Sequence, residues 1–105
     1  MAEYSHVSSI SVMSSWWVYI IETAQGRLYT GISTDPERRF EEHCATARGE
    51  KNAKGARFFR SQTPKALVYC ESVADRSTAS RREAAIKAMS PREKRQLLTA
   101  GAGKQ

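Results

Sequence analysis

The sequence predicts a single α+β domain. A small, mainly antiparallel three-stranded sheet is flanked by helices, in the order β-β-α-β-α-α. Three observations predict it: two short apolar segments flank a glycine turn, a third follows a basic loop, and three segments open with helix-capping residues. At 105 residues and 40% hydrophobic composition, the chain has enough apolar side chains for one core. We expect the helices to cover one face of the sheet.

The first two strands form a hairpin. Residues 17–21 and 27–32 alternate across two faces, and Gln25-Gly26 lies between them, where glycine tolerates the positive φ of a tight turn. A hairpin that turns near Ala24 sets Tyr19 and Tyr29 opposite or diagonal to each other, with Gly31 further along the same face. By itself, such an aromatic pair predicts packing more strongly than catalysis.

The first helix begins at Asp35-Pro36, which combines a capping carboxylate with a proline at the first helical position. Arg39 and His43 lie four residues apart and therefore share a face. Taken alone, such a pair is more often solvated than functional. Residues spaced for one helix face form the predicted buried stripe: Phe40, Cys44 and Ala47.

A basic loop follows over residues 48–63. Its cations recur about every third residue, at Arg48, Lys51, Lys54, Arg57 and Arg60. Phe58 and Phe59 lie among them, and cations with interleaved aromatics can hold phosphates and stack an unpaired base. In the other interpretation, one phenylalanine fills the core while the charges stay solvated. The residues favour neither.

Pro64 begins the next element, and residues 66–70 (ALVYC) form a strand that pairs with the hairpin. Asp75 and Ser77 are alternative caps for the second helix. On that helix Glu83 interrupts an apolar stripe, and a buried carboxylate is costly without a partner or a metal. The structural alternative is a rim glutamate that pairs with Arg82 or Lys87.

A capping box over residues 90–93 (SPRE) starts a third, short helix that runs to about Leu98, before Gly101 and Gly103. We therefore place the domain at residues 16–99. Residues 1–15 are a Ser-rich flexible leader in which His6 is incidental, and residues 100–105 are a flexible tail.

Charge is unevenly distributed along the chain. The net charge is +6, but residues 1–47 carry 3 Lys/Arg and 6 Asp/Glu, whereas residues 48–105 carry 14 and 5. A basic half favours a polyanionic partner over a merely solvated surface. No signal peptide or membrane span is evident, and Cys44 and Cys70 lack metal-type spacing, so we expect a cytoplasmic protein with reduced thiols.

These residues together resemble the GIY-YIG nuclease superfamily, and the small stand-alone bacterial branch in particular. Residues 17–19 (WVY) and 29–31 (YTG) occupy the positions of its two strand motifs, and Arg39, His43 and Glu83 match its helical arginine, histidine and glutamate. The resemblance spans about Trp16 to Leu98. Only the tyrosine of the first motif is present, Thr30 replaces an isoleucine of the second, and no asparagine follows Glu83.

The resemblance implies a metal-dependent endonuclease that hydrolyses phosphodiester bonds, in DNA more than in RNA. Branched, flap or single-stranded substrates and a role in DNA repair are further expectations at the level of the family. Tyr19 would activate water, its pKa lowered by Arg39 and a metal, while Arg39 binds the scissile phosphate and Glu83 holds one Mg²⁺ or Mn²⁺. Tyr29 and His43 would orient the water or share its proton. Gly31 would allow close approach of backbone or substrate.

These groups must then line one polar hollow. The alternative is a nucleic-acid-binding module that is non-catalytic or active only with a protein partner. Oligomeric state is not readable from the sequence.

Overall fold

The computed structural model describes residues 16–103 and has the predicted order of elements. They are β1 (Trp16–Thr23), β2 (Leu28–Ser33), α1 (Pro36–Ala47), a 3₁₀ helix (Arg57–Arg60), β3 (Pro64–Val73), α2 (Arg76–Lys87) and α3 (Pro91–Gly103). The predicted leader, with His6, lies outside the described residues. Helix α3 extends beyond its predicted end near Leu98 and includes Gly101 and Gly103. Glycine weakens a helix but, unlike proline, keeps the backbone N–H that continues the helical hydrogen bonds.

The sheet is antiparallel, with β1 between β2 and β3. Tyr19 pairs with Gly31 and Ile21 pairs with Tyr29, so the two tyrosines are diagonal neighbours, one of the two predicted arrangements. Gly26 in the hairpin turn has a φ of 88°, the positive value expected there. Because β2 pairs only with β1, it forms one edge of the sheet.

Helices cover both faces of the sheet, so the expectation that they cover one face was wrong. On the first face, Val18 and Ile20 pack with Ala79 and Ile86 of α2, and with the partly buried Leu97 of α3. We call this the apolar layer. It buries aliphatic side chains that make no polar contacts.

The opposite face is covered by α1 and the 3₁₀ helix. Here Tyr19 and Ile21 pack with Phe59, and with the partly buried Phe40 and Tyr29. We call this the aromatic layer. Because successive side chains of a strand point to opposite faces, β1 contributes to both layers.

The helix starts follow the predicted capping chemistry. The Asp35 side chain accepts from the Arg38 amide at 3.1 Å, and Asp75, rather than Ser77, caps α2 by accepting from the Thr78 amide at 2.8 Å. At α3 the Ser90 amide donates to the Glu93 carboxylate, and the Glu93 amide donates to the Ser90 hydroxyl. Among residues 16–103, no helix combines the length and apolar character needed to cross a bilayer.

The buried face of α1 differs from the prediction. The predicted stripe of Phe40, Cys44 and Ala47 is only partly buried, and His43 is the residue that α1 buries completely. An imidazole can occupy this position because both ring nitrogens find partners inside the domain.

Candidate active site

The Tyr19 ring lies across Gly31. A Cβ at Gly31 would lie 2.5 Å from the Tyr19 hydroxyl oxygen and 2.6 Å from Cζ, so only glycine leaves room for the ring. The space that we expected to admit backbone or substrate is therefore taken by Tyr19. Since Gly31 belongs to the edge strand β2, the Tyr19 hydroxyl lies over the edge of the sheet.

His43 binds that hydroxyl from α1. The Tyr19 oxygen and His43 Nε2 are 2.9 Å apart, and the backbone N–H of Ala56 donates to His43 Nδ1 at 3.0 Å. Because Nδ1 accepts, a neutral imidazole must carry its proton on Nε2. His43 therefore donates to Tyr19, and the Tyr19 O–H proton is directed elsewhere.

An aromatic wall supports this pair. Tyr29 lies with its ring centroid 5.3 Å from that of His43, and Phe59 lies 4.4 Å from His43. Phe59 is completely buried, whereas Phe58 is partly exposed and lies 5.2 Å from Tyr29. One phenylalanine of the basic loop thus fills the core, and the other remains at the surface.

Arg39 is the partly exposed member of the cluster, with 30% of its side chain accessible. Its Nη1 donates to the Glu42 carboxylate at 2.8 Å and to the Lys54 carbonyl at 2.7 Å. The sequence reasoning missed Glu42, although its i,i+3 spacing from Arg39 was a usable signal. Tyr19 itself is only 1% exposed, so Arg39 is the more accessible of the two side chains.

The expected lowering of the Tyr19 pKa depends on a metal as well as on Arg39, and the folded chain by itself raises that pKa. Burial raises the pKa of Tyr19 above its ordinary value, Tyr29 adds to the rise, and the charge and hydrogen bonding of Arg39 oppose it without overcoming it. The expectation of a lowered value did not allow for desolvation, since only the folded structure shows that the hydroxyl is buried.

His43 is held neutral. The pKa of His43 is lowered from 6.5 to about 4, mainly by burial and also by the nearby charge of Arg39, while Glu42 acts in the opposite direction. At neutral pH the imidazole is therefore uncharged. This agrees with the tautomer assigned from the hydrogen bonds.

Glu83 lies on the helix that packs against the apolar layer. Helix α2 packs against the apolar layer, and Glu83 forms an ion pair with Lys87 at 3.0 Å, the contact of the structural alternative. Its negative charge nevertheless contributes to the raised pKa of Tyr19, which places the two groups within electrostatic range. Tyr19, Arg39 and His43 are thus brought together in the aromatic layer, and Glu83, carried by the helix that packs on the apolar layer, acts electrostatically on Tyr19.

Metal-binding groups are sparse. Within the part of the chain that the structure describes, no three His, Cys, Asp or Glu side chains come together as a metal-binding group. Glu83, to which the family resemblance assigns the metal, has a side chain that is 23% exposed.

The five cations of the basic loop are exposed and do not converge as side chains on Tyr19. Arg48 pairs with Glu50 at 2.6 Å, away from the cluster. The Lys54 backbone carbonyl accepts from Arg39, a contact that sequence periodicity could not have revealed, and the Lys54 charge helps to lower the pKa of Glu42.

The chain is a small α+β domain whose aromatic layer holds a buried tyrosine–histidine pair beside a partly exposed arginine. Comparison with known families gives it a more specific assignment. Residues 15–96 match the family described as "GIY-YIG catalytic domain", and the chain belongs to this family.

Several bacterial proteins are similar over most of their length. A UPF0213 protein of Desulfotalea psychrophila is 51% identical over 86 residues, which are 82% of this chain and 73% of that protein. The UPF0213 protein YhbQ of Escherichia coli K12 is 41% identical over 91 residues, covering 87% and 84% of the two chains. The solution NMR structure of a UPF0213 protein from Bacillus halodurans is 33% identical, with a TM-score of 0.47 and coverage of 81% and 83%.

Proposed function

We propose that this protein is a metal-dependent endonuclease that hydrolyses phosphodiester bonds in DNA. The observation that carries the proposal is the 2.9 Å hydrogen bond between Tyr19 and His43, with Arg39 beside the same hydroxyl. A tyrosine and a neutral histidine in contact, next to a cation able to bind phosphate, supply the parts that hydrolysis of a phosphodiester needs.

Tyr19 is the group that would accept a proton from the attacking water. It is a poor base while it keeps its own proton, and burial strengthens its hold on that proton. Before it can accept a proton from water, Tyr19 must lose its own O–H proton to solvent, and the His43 Nε2–H and Arg39 would stabilise the phenolate that remains. Tyr19 can therefore act as a base only while these two groups remain in place.

Arg39 would bind the scissile phosphate. Its guanidinium has five N–H donors; Nη1 donates to Glu42 and to the Lys54 carbonyl, and the side chain also hydrogen-bonds Tyr19. The remaining donors form the planar fork that matches two phosphate oxygens. The hydrogen bond from Arg39 lowers the pKa of Glu42, so Glu42 stays ionised and holds the guanidinium.

Glu83 would hold a single Mg²⁺ or Mn²⁺. One partly exposed carboxylate fits an ion that commonly uses one or two carboxylates together with water and phosphate oxygens. When bound, such an ion would neutralise charge that develops on the phosphate. Glu83 must first exchange its ion pair with Lys87, a solvent-accessible contact of small energy.

The exposed basic loop would contact the nucleic-acid backbone through Arg48, Lys51, Lys54, Arg57 and Arg60. Phe58 is accessible enough to stack on an unpaired base, and Arg27 lies 5.9 Å from its ring centroid. We therefore expect flap, branched or single-stranded DNA to be cut faster than duplex. Affinity should fall as salt rises.

The test uses end-labelled flap, branched, single-stranded and duplex DNA, with RNA strands of the same structures, in Mg²⁺ or Mn²⁺. Tyr19→Phe and Arg39→Ala should each lower the cleavage rate by about 100-fold or more. Arg38→Ala removes the neighbouring arginine, which is 62% exposed, and should leave the rate within about two-fold of wild type. Wild-type cutting no faster than that of Tyr19→Phe would refute the proposal.

The metal assignment needs its own comparison. Glu83→Gln should raise the Mg²⁺ concentration needed for half-maximal cutting, and a chelator should abolish cutting. Glu71→Gln is the matched control, because Glu71 is another partly exposed carboxylate in an ion pair, with Arg82 at 3.0 Å. Equal metal dependence in both variants would remove Glu83 as the ligand.

A second candidate function is a binding module without catalysis. It is favoured by the 1% exposure and raised pKa of Tyr19, which oppose its use as a base. Salt-sensitive DNA binding that Glu83→Gln leaves unchanged, with no cutting of any substrate, would select this function over the nuclease. Cleavage that appears only after a cell extract is added would point to a required protein partner.

A further inference from the structure

Three consecutive backbone groups of the loop after α1 each hydrogen-bond to a side chain of α1. The Lys54 carbonyl accepts from Arg39 at 2.7 Å. The Gly55 amide donates to Thr46 Oγ1 at 2.8 Å, and the Ala56 amide donates to His43 Nδ1 at 3.0 Å. We call residues 54–56 the backbone clamp. It contacts both polar groups that flank Tyr19.

Gly55 allows the clamp to reach the helix. A Cβ on Gly55 would lie 2.5 Å from Thr46 Oγ1, 2.6 Å from the Glu42 carbonyl oxygen and 2.7 Å from the His43 Cα. Two of these three atoms are backbone atoms of α1 and cannot rotate away. A residue larger than glycine would therefore push the clamp off α1.

Close approach is the requirement at Gly55. The positive-φ glycines of the described residues are Gly26 and Gly49, and Gly55 is not among them. Alanine would fit the backbone conformation at position 55 and would fail on space alone. A Gly55→Ala variant therefore tests the contact between clamp and helix.

We propose that the backbone clamp is a positioning element that sets the tautomer of His43 and the orientation of Arg39, with Gly55 as the residue on which it depends. Its catalytic consequence rests on the nuclease function proposed above, but its structural content does not. The Ala56 amide can only donate, so Nδ1 must accept and the proton must reside on Nε2.

Without the clamp, His43 would lose the group that selects its tautomer. The imidazole would exchange between two neutral forms, and in one of them Nε2 would accept the Tyr19 proton instead of donating to the Tyr19 oxygen. Tyr19 would then be a donor to His43, with no donor from His43 to stabilise its phenolate. Arg39 would keep Glu42 but lose the carbonyl that fixes Nη1.

The direct test is ¹⁵N NMR of the imidazole in the His6→Ala background, where His43 is the one remaining histidine. In the otherwise unchanged protein near pH 7, Nδ1 should show an unprotonated shift, Nε2 a protonated shift, and Nδ1 a hydrogen-bond coupling to the Ala56 amide nitrogen. A proton on Nδ1 in this protein would overturn the proposal outright.

Variants then test the role of Gly55. Gly55→Ala should move the two ring nitrogens toward averaged shifts and abolish the coupling to Ala56. Gly26→Ala adds backbone strain at a positive-φ turn but no clash, since no atom lies within 4 Å of its Cβ position; it controls for destabilisation away from the clamp and should keep wild-type shifts. Wild-type shifts in folded Gly55→Ala would contradict the proposal.

Thr46 provides a second route if Gly55→Ala does not fold. Thr46→Val removes the acceptor for the Gly55 amide without changing the side-chain shape, and should weaken the coupling between Ala56 and His43. Thr46→Ser keeps the acceptor and should preserve the coupling. Identical couplings in the two variants would count against the clamp.

Activity measurements separate this proposal from the nuclease function. If the protein cuts DNA, Gly55→Ala should lower kcat at least ten-fold while KM changes less. If no substrate is cut but the shifts respond as expected, the clamp stands and the nuclease proposal fails. If cutting occurs at the wild-type rate in folded Gly55→Ala, the clamp has no positioning role and the nuclease proposal is unaffected.

Discussion

The two layers of the sheet bury different kinds of side chain, although β1 contributes to both. In the apolar layer, Val18 and Ile20 pack against aliphatic residues and need no partners. In the aromatic layer, Tyr19 and His43 are equally buried, but each polar atom of His43 has a specific partner. The comparison indicates that the apolar layer is stabilised by apolar packing alone, whereas the aromatic layer also needs hydrogen-bond partners for its buried polar groups.

Thr30 shows what happens when a polar group occupies the apolar layer. It pairs with Ile20 across the hairpin, is 3% exposed, and its hydroxyl is the one buried side-chain polar atom among the described residues that has no hydrogen-bond partner. The Thr30 hydroxyl thus differs from the His43 ring, whose two nitrogens both have partners. Four changes would break or sharpen this comparison.

The largest expected effect is on the apolar layer. Ile20→Ala leaves a cavity beside completely buried neighbours, so we expect the free energy of unfolding to fall by about 2–5 kcal/mol. Urea denaturation measures it. At temperatures where the variant is folded, the His43 ring shifts should match wild type, and altered shifts would mean that the layers are not independent.

Gly31→Ala should act on the aromatic layer. The added methyl group overlaps the tip of the buried Tyr19 ring, which must move away from His43, so we expect destabilisation of about 1–3 kcal/mol. The Tyr19–His43 hydrogen bond should be lost with it, as seen by NMR, and any cleavage activity should fall at least ten-fold. Unchanged His43 shifts in the folded variant would show that the ring does not need the space above Gly31.

The third prediction concerns pH. The pKa of His43 is lowered to about 4 in the folded protein, so the stability linked to it is complete above about pH 6.5 and is lost as pH falls toward 4. We expect the thermal midpoint to drop by on the order of 5 °C or more across this range, since about 1 kcal/mol corresponds to several degrees in a domain of this size.

The matching control is His43→Gln, compared with the parent protein in the His6→Ala background. Glutamine retains a side-chain donor but does not titrate, so the drop between pH 6.5 and 4 should shrink markedly. An equal drop in both proteins would assign it to carboxylates instead.

The smallest expected effect is an increase in the free energy of unfolding. Thr30→Val replaces the unpaired hydroxyl by a methyl group of similar size, so the free energy of unfolding should rise by about 1 kcal/mol. Thr23→Val is a useful contrast, because the Thr23 hydroxyl donates to Gln62 at 2.8 Å and its removal should destabilise. A destabilising Thr30→Val would imply that the hydroxyl is satisfied in solution.

Local features of the fold were predictable because their causes are local. The cap at Asp35, the capping box at Ser90 and the turn at Gly26 each depend on residues within four positions of one another. The diagonal relation of Tyr19 and Tyr29 followed from strand alternation and turn position. The residues that match the family motifs followed from their order and spacing in the chain.

The sequence by itself therefore determined the elements, their order, the chemical groups available and the family. Only the tertiary structure decided that both faces of the sheet are covered, that Gly31 makes room for Tyr19, and that Glu83 approaches from the other layer. It also decided the state of His43, whose contact with Tyr19 joins positions 24 residues apart. The physical reason is that burial and hydrogen-bond partners depend on which surfaces meet after the chain folds, and residue spacing does not encode that meeting.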